Sequence, residues 1–165
     1  MALTQCFSCG AETENINGAT HKYLLSTSGC WAKYGELLAR EYSDFSYMAV
    51  HDLTVDAYAA QHPGQPRSQT ISSINVHLSS LYAYFHLNYA VSELSHIKSR
   101  IIRYKDEFTW LEPPSYLGQL TVMDVLDAEN AGQHCDLGKD WAADVFDQWE
   151  DFHPIVKKIL EKSLG

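Results

Sequence analysis

Three cysteines near the beginning of the chain have the residue types and spacing of metal ligands. Cys6 and Cys9 form a Cys-x-x-Cys motif followed by Gly10, and Cys30 stands where a helix is predicted to begin. Two thiolates on one tight turn are typical of zinc knuckles, and a glycine after the second can take a positive φ that points backbone N–H groups at sulfur. Because no strand–helix–strand pattern surrounds the motif, a redox disulfide is the weaker interpretation. We therefore predict that these three cysteines bind Zn²⁺.

Two histidines could supply the fourth ligand. A short turn joins predicted helices at 28–41 and 45–61, so these helices should form an antiparallel hairpin. Such a hairpin brings Cys30, at the start of the first helix, and His62, after the end of the second, to an axial offset of about 7 Å. His21 is the alternative, and it would give a ligand set confined to the first thirty residues. We favour His62 because it would tie the loose N-terminal segment to the helices.

A second group of residues could hold a catalytic metal among the helices. His51 lies on the apolar face of the second predicted helix, about three turns from His62. His77 lies on the next helix and His153 on the last, and helical bundles bind catalytic metals through histidines on facing helices. Asp56 could then orient a histidine or act as a general base. A single histidine on an apolar face is more often a core residue, so the sequence leaves open whether the protein is an enzyme.

Helices must position these residues, because apolar side chains recur at helical spacing along most of the chain. We predict one all-α domain, residues 1–165, in which about five helices form a bundle. An irregular segment at 1–27, shaped like a zinc knuckle, packs on the bundle at 28–165 through the metal ion. The predicted helices span residues 28–41, 45–61, 70–90, 93–105, 121–128 and 139–163, the last of them kinked or restarted at Pro154.

Composition restricts the class of partner. The net charge of −9 argues against nucleic acid, whose phosphates require a basic surface. No run of about 18 apolar residues is present, so we expect no membrane-spanning helix. The first residues lack the basic and apolar regions of a signal peptide, which favours a cytoplasmic protein. An aromatic-rich helical surface makes a homodimer reasonable, while the sequence identifies no small-molecule or protein partner.

Several motifs along the chain are similar to those of one protein family. They are Cys6-x-x-Cys9-Gly10, Cys30-Trp31, His51-x-Leu53-Thr-Val-Asp-Ala-Tyr58 and Gln61-His62-Pro63. Together they resemble an uncharacterised bacterial family of small proteins with a domain of unknown function, and the resemblance covers most of the chain. It implies the three cysteines and the histidine of Gln-His-Pro as recurring features, and it implies no reaction. The chain departs from the family's pattern at Pro154. In the family, a second histidine stands directly after the position of His153.

The sequence therefore predicts a zinc-binding helical protein. We expect the zinc to be mainly structural and the function to be binding or scaffolding. A metal-dependent hydrolase or transferase, with a histidine site inside the bundle, is the alternative. The two interpretations differ in where the functional residues lie, either at the N-terminal end of the bundle or within it.

Overall fold

A computed structural model describes residues 2–165 of the chain, and most of these residues are helical. They form a two-stranded sheet and eight α-helices, joined in places by 3₁₀ segments. The elements are β1 (Leu3–Gln5), β2 (Glu12–Glu14), α1 (Ser28–Ser43), α2 (Phe45–Met48), α3 (His51–Gln61), α4 (Ser68–Leu87), α5 (Leu94–Ile101), α6 (Val122–Leu126), α7 (Ala131–Gln148) and α8 (His153–Leu164). The prediction of an all-α protein is confirmed in outline, but the prediction of about five helices is too low.

The N-terminal segment is more regular than the sequence indicates. β1 and β2 pair antiparallel, with Thr4 opposite Thr13, and the Cys-x-x-Cys motif forms the turn between them. Each strand has only three residues, which is too short for an alternating apolar pattern to be recognised. Thr13 faces inward and is buried, whereas Leu3 remains 64% exposed. The expected irregular segment is therefore a small β-hairpin followed by a connection without regular secondary structure.

The helix predicted at 45–61 is divided in two. Ala49 and Val50 separate α2 from α3, and Val50 has a non-helical backbone with φ of −107° and ψ of 1°. The break directs the Val50 side chain into the core against α7, where a Cβ on Gly138 would lie 3.0 Å from a Val50 methyl group. Packing against α7 thus overrides the helical pattern that the sequence shows.

The last helical region also differs from the prediction at its start. α7 begins at Ala131, so residues 131–138 are helical although the sequence predicts a connection there. Asn130 caps the helix, since its side chain accepts a hydrogen bond of 2.9 Å from the backbone N–H of Gln133. Two glycines, which are poor helix formers, hide this beginning in the sequence. The restart at Pro154 is confirmed, because α8 begins at His153 after a 3₁₀ turn.

α3 lies at the centre of the bundle, between α4 and α7. Its small side chains let two buried tryptophans of the last helical region approach closely. Nε1 of Trp141 donates to the side-chain oxygen of Gln61 at 3.0 Å, and Nε1 of Trp149 donates to the backbone oxygen of Ala60 at 3.1 Å. These two hydrogen bonds anchor the end of α3 in the core. Among residues 2–165, no helix is both long enough and apolar enough to cross a membrane.

Candidate metal centre

Four side chains meet where the hairpin touches the beginning of α1 and the end of α3. They belong to Cys6, Cys9, Cys30 and His62, and one ligand atom from each lies within 4.8 Å of the others. Sγ of Cys9 is 3.8 Å from Sγ of Cys30, which is 3.4 Å from Nε2 of His62. Ligand atoms around a tetrahedral zinc ion with sulfur bonds of about 2.3 Å are separated by about 3.8 Å. The four atoms are therefore spaced for a single metal ion.

The hairpin turn sets the positions of the first two thiols. The backbone N–H of Cys6 donates to the oxygen of Ala11 at 2.9 Å, and the N–H of Gly10 donates to the oxygen of Cys6 at 2.8 Å. Gly10 has a φ of +79°, which a residue with a side chain rarely adopts. This conformation aims the N–H of Ala11 at Sγ of Cys9, 3.4 Å away. The prediction that Gly10 takes a positive φ and so directs a backbone N–H at sulfur is confirmed.

The helices set the positions of the other two ligands. Cys30 lies in the first turn of α1, where Thr27 caps the helix by accepting a hydrogen bond from the backbone N–H of Cys30 at 3.3 Å. Nδ1 of His62 donates to the backbone oxygen of Tyr58 at 2.8 Å. That bond places the proton on Nδ1 and leaves the lone pair of Nε2 facing the thiols. The antiparallel helix arrangement expected from the sequence does bring Cys30 and His62 together.

Gly29 allows the hairpin to reach α1. A Cβ at this position would collide with the backbone oxygen of Glu14 and the side-chain oxygen of Thr13, both on β2. With hydrogen there instead, β2 lies directly against the first turn of the helix. The cysteine that follows Gly29 is thereby placed beside the thiols of the hairpin.

The thiols influence one another's protonation because three of them share a largely buried space. Hydrogen bonds from Cys30 and Cys9 lower the pKa of Cys6, while the bond between Cys6 and Cys30 raises the pKa of Cys30 to about 12. Hydrogen bonds with Cys30 and Cys6, together with burial, raise the pKa of Cys9. Three adjacent thiolates would repel one another, and a divalent cation among them would stabilise all three in the ionised form. The donor set therefore fits a metal ion.

His21 is not a member of this group. Its Nδ1 accepts hydrogen bonds from the backbone N–H groups of Tyr23 and Leu24, at 3.2 and 3.3 Å. The imidazole thus orders the connection that follows the hairpin. Of the two candidates for the fourth ligand, the structure places His62, and not His21, with the three cysteines.

The candidate catalytic histidines do not converge. His51 lies at the beginning of α3, where its Nδ1 donates to the carboxylate of Glu41 at 2.9 Å. The Nε2 of His153 donates to the backbone oxygen of Phe146 at 2.9 Å, and burial lowers the pKa of this histidine. His77 instead donates to Asp56, at 2.7 Å. Among residues 2–165, the cysteine cluster is the one group of three or more side chains arranged to hold a metal.

Asp56 orients a histidine of a neighbouring helix, as one of the sequence interpretations expects. The carboxylate is completely buried and also accepts hydrogen bonds from Ser80 at 2.5 Å and from Lys98 at 2.8 Å. Burial raises the pKa of Asp56, but the positive charge of Lys98 and the hydrogen bond from His77 outweigh it and hold the pKa below its ordinary value. The group is therefore an anion inside the bundle.

The sequence interpretation missed a second buried carboxylate. Glu41 has no exposed surface and accepts hydrogen bonds from His51, from Nε2 of the buried His134 at 2.8 Å, and from Thr54 at 2.8 Å. Burial raises its pKa, but the hydrogen bonds from the two histidines and the threonine lower it below the ordinary value. Glu41 follows Leu37 by four residues, so it occupies the apolar face of α1. This helical spacing was the sequence signal from which the burial of Glu41 could have been predicted.

These features define a class of protein, a small helical bundle whose N-terminal hairpin supplies half of a Cys₃His cluster. The chain belongs to the family of unknown function DUF5946, which matches residues 4–150. The matched range includes all four residues of the cluster. No curated protein and no solved structure matches the chain. The resemblance to a family without an assigned reaction is thereby confirmed.

Proposed function

We propose that the protein binds one Zn²⁺ ion through Cys6, Cys9, Cys30 and His62, and that this zinc is structural. The convergence of these four ligand atoms is the observation that carries the proposal. A Cys₃His donor set is typical of closed, tetrahedral zinc sites, whereas catalytic zinc sites keep one position for water. Soft thiolates also favour zinc over magnesium, calcium or manganese.

The surroundings of the cluster support a structural role. Cys6, Cys30 and His62 are at most 2% exposed, so a substrate has little access to a metal bound there. Tyr58 covers the site from within the bundle, since its ring stacks on His62 with centroids 3.9 Å apart and its hydroxyl lies 3.5 Å from Sγ of Cys30. The ion would then join the hairpin to α1 and α3, and the molecule would act as a binding or scaffold protein.

The proposal extends to the cellular compartment. Zinc-bound thiolates persist where thiols remain reduced, and we propose the cytoplasm as the site of action. The four cysteines are free in the structure. A homodimer remains a prediction, as does the absence of nucleic acid and membrane partners.

Metal analysis of the purified protein, with one matched pair of variants, tests the zinc assignment. The unmodified protein should contain about one zinc ion per chain. Cys6→Ser should lose nearly all of it and show a lower thermal midpoint. Cys135→Ser is the control, because Cys135 lies outside the cluster and contacts the backbone oxygen of Ser46. Full zinc content in Cys6→Ser, or a different metal in the unmodified protein, would contradict the proposal.

A further inference from the structure

His77 occupies a second site, which the proposed zinc function does not use. It lies on α4 at the junction of two cavities, of about 690 and 220 Å³. Tyr23 and Ser73 also line both cavities, so the two spaces adjoin. The larger cavity lies against residues 102–108, several of which are exposed, and the smaller one extends towards α1 and α3.

The geometry around His77 leaves one ring nitrogen as a hydrogen-bond acceptor. Because Nδ1 donates to the anionic Asp56, the neutral ring carries its proton on Nδ1 and its lone pair on Nε2. No hydrogen-bond partner for Nε2 is found among residues 2–165. Lys98 pairs with Asp56, but it is shared with Asp52, so the local charge behind the ring remains negative.

The cavity walls differ in chemistry. Aromatic rings dominate the smaller cavity, which is lined in part by Trp31, Tyr34 and Tyr58. Such surfaces favour flat, apolar groups. Among residues 2–165, His77 and Asp56 have no third His, Cys, Asp or Glu near enough to complete a metal-binding group. A small organic molecule therefore fits this site better than a metal ion.

We propose that the two cavities form one binding site for a small planar compound bearing a hydroxyl group. The flat ring enters the aromatic cavity, and the hydroxyl donates a hydrogen bond to Nε2 of His77. Asp56 holds the imidazole ring of His77 in the required orientation and tautomer, so Asp56 is a positioning residue.

Two probe compounds of nearly the same shape test this proposal on the zinc-loaded protein. Phenol offers a ring and an O–H group, whereas anisole offers the ring with a methyl ether in its place. Binding is followed by NMR of the histidine ring nitrogens. Phenol should shift the Nε2 signal of His77 and bind at least tenfold more tightly than anisole, because only phenol can donate to that nitrogen. Equal affinities, or no binding of either compound, would overturn the proposal.

A matched pair of variants locates the interaction. His77→Leu removes the hydrogen-bond acceptor and should weaken phenol binding at least tenfold while leaving anisole binding unchanged. His96→Leu is the control, because His96 is exposed on α5 and lines neither cavity. Unchanged phenol affinity in His77→Leu would contradict the proposal. Should that variant not fold, the comparison of phenol with anisole on the unmodified protein decides. Zinc content is measured on the same samples, so failure of this proposal is distinguishable from failure of the zinc assignment.

Discussion

Removal of the metal should release the N-terminal hairpin and leave the helical bundle folded. The hairpin buries few side chains of its own, namely Cys6, Ala11 and Thr13, while Leu3 and Phe7 are 64% and 68% exposed. Its strands share three residue pairs, which is too little pairing for a stable isolated hairpin. The bundle, in contrast, contains the large buried side chains of the core. We therefore expect local rather than global unfolding.

The estimated free energies support local unfolding of the hairpin rather than unfolding of the whole protein. Ordering the backbone of residues 2–14 costs on the order of 13 kcal/mol, at roughly 1 kcal/mol per residue. The buried apolar groups of the hairpin return only about 2 to 3 kcal/mol. A structural zinc site contributes about 10 to 16 kcal/mol in zinc-finger peptides, which is the size of the remaining difference. Without the ion, the ordered hairpin loses its main source of stability.

Hydrogen exchange read by mass spectrometry measures this directly, on the protein before and after complete chelation of the metal. Amides within residues 2–14, including those of Cys6 and Gly10, should exchange at least a hundredfold faster without metal, equivalent to about 2.8 kcal/mol. Peptides containing Leu53 of α3 and Trp141 of α7 should keep their protection. Cys135→Ser is the control, and it should show the same dependence on metal as the unmodified protein.

Two results would refute the reasoning. If the amides of residues 2–14 keep their protection after metal analysis shows that the ion is gone, the hairpin is held by its protein contacts. If α3 and α7 lose protection together with the hairpin, the ion supports the whole bundle. Either result would show that the division of stability between hairpin and bundle is wrong.

Two further predictions concern other buried features. Glu41→Gln should lower the free energy of unfolding at pH 7 by about 2 to 4 kcal/mol, because it removes the anion that His51 and His134 contact. The pKa of Glu41 is lowered in the folded protein, so the stability that its carboxylate provides is present above the ordinary carboxyl pKa and is lost as the pH falls through the folded pKa. Urea unfolding of both proteins at several pH values measures this dependence. A difference in unfolding free energy that does not change with pH would contradict it. Gly29→Ala should weaken metal affinity at least tenfold, because the added Cβ collides with β2. Gly35→Ala is the control and should leave the affinity unchanged, because its Cβ meets nothing within 4 Å. Competition with a chromogenic chelator measures both affinities, and equal values would contradict the proposed role of Gly29.

The sequence predicted the members of the cluster because each depends on local features. A Cys-x-x-Cys-Gly turn and two helix ends joined by a short connection are visible in the residue pattern. It could not reveal the surroundings of Glu41, because burial of a carboxylate depends on partners from other helices. One of these is His134, in the part of α7 that was predicted to be a connection. The position of Val50 in the core against α7 likewise escaped prediction.

The order of the ligands along the chain has a consequence for folding during synthesis. Under the proposed zinc assignment, Cys6 and Cys9 leave the ribosome first and would hold an ion only loosely once their turn forms. Cys30 joins once α1 has begun, but His62 reaches the site only after α3 has formed and packed antiparallel to α1. Tight retention of the ion therefore coincides with assembly of the first three helices. A chain that stalls or misfolds before that point would hold its metal weakly and return it to competing cellular ligands.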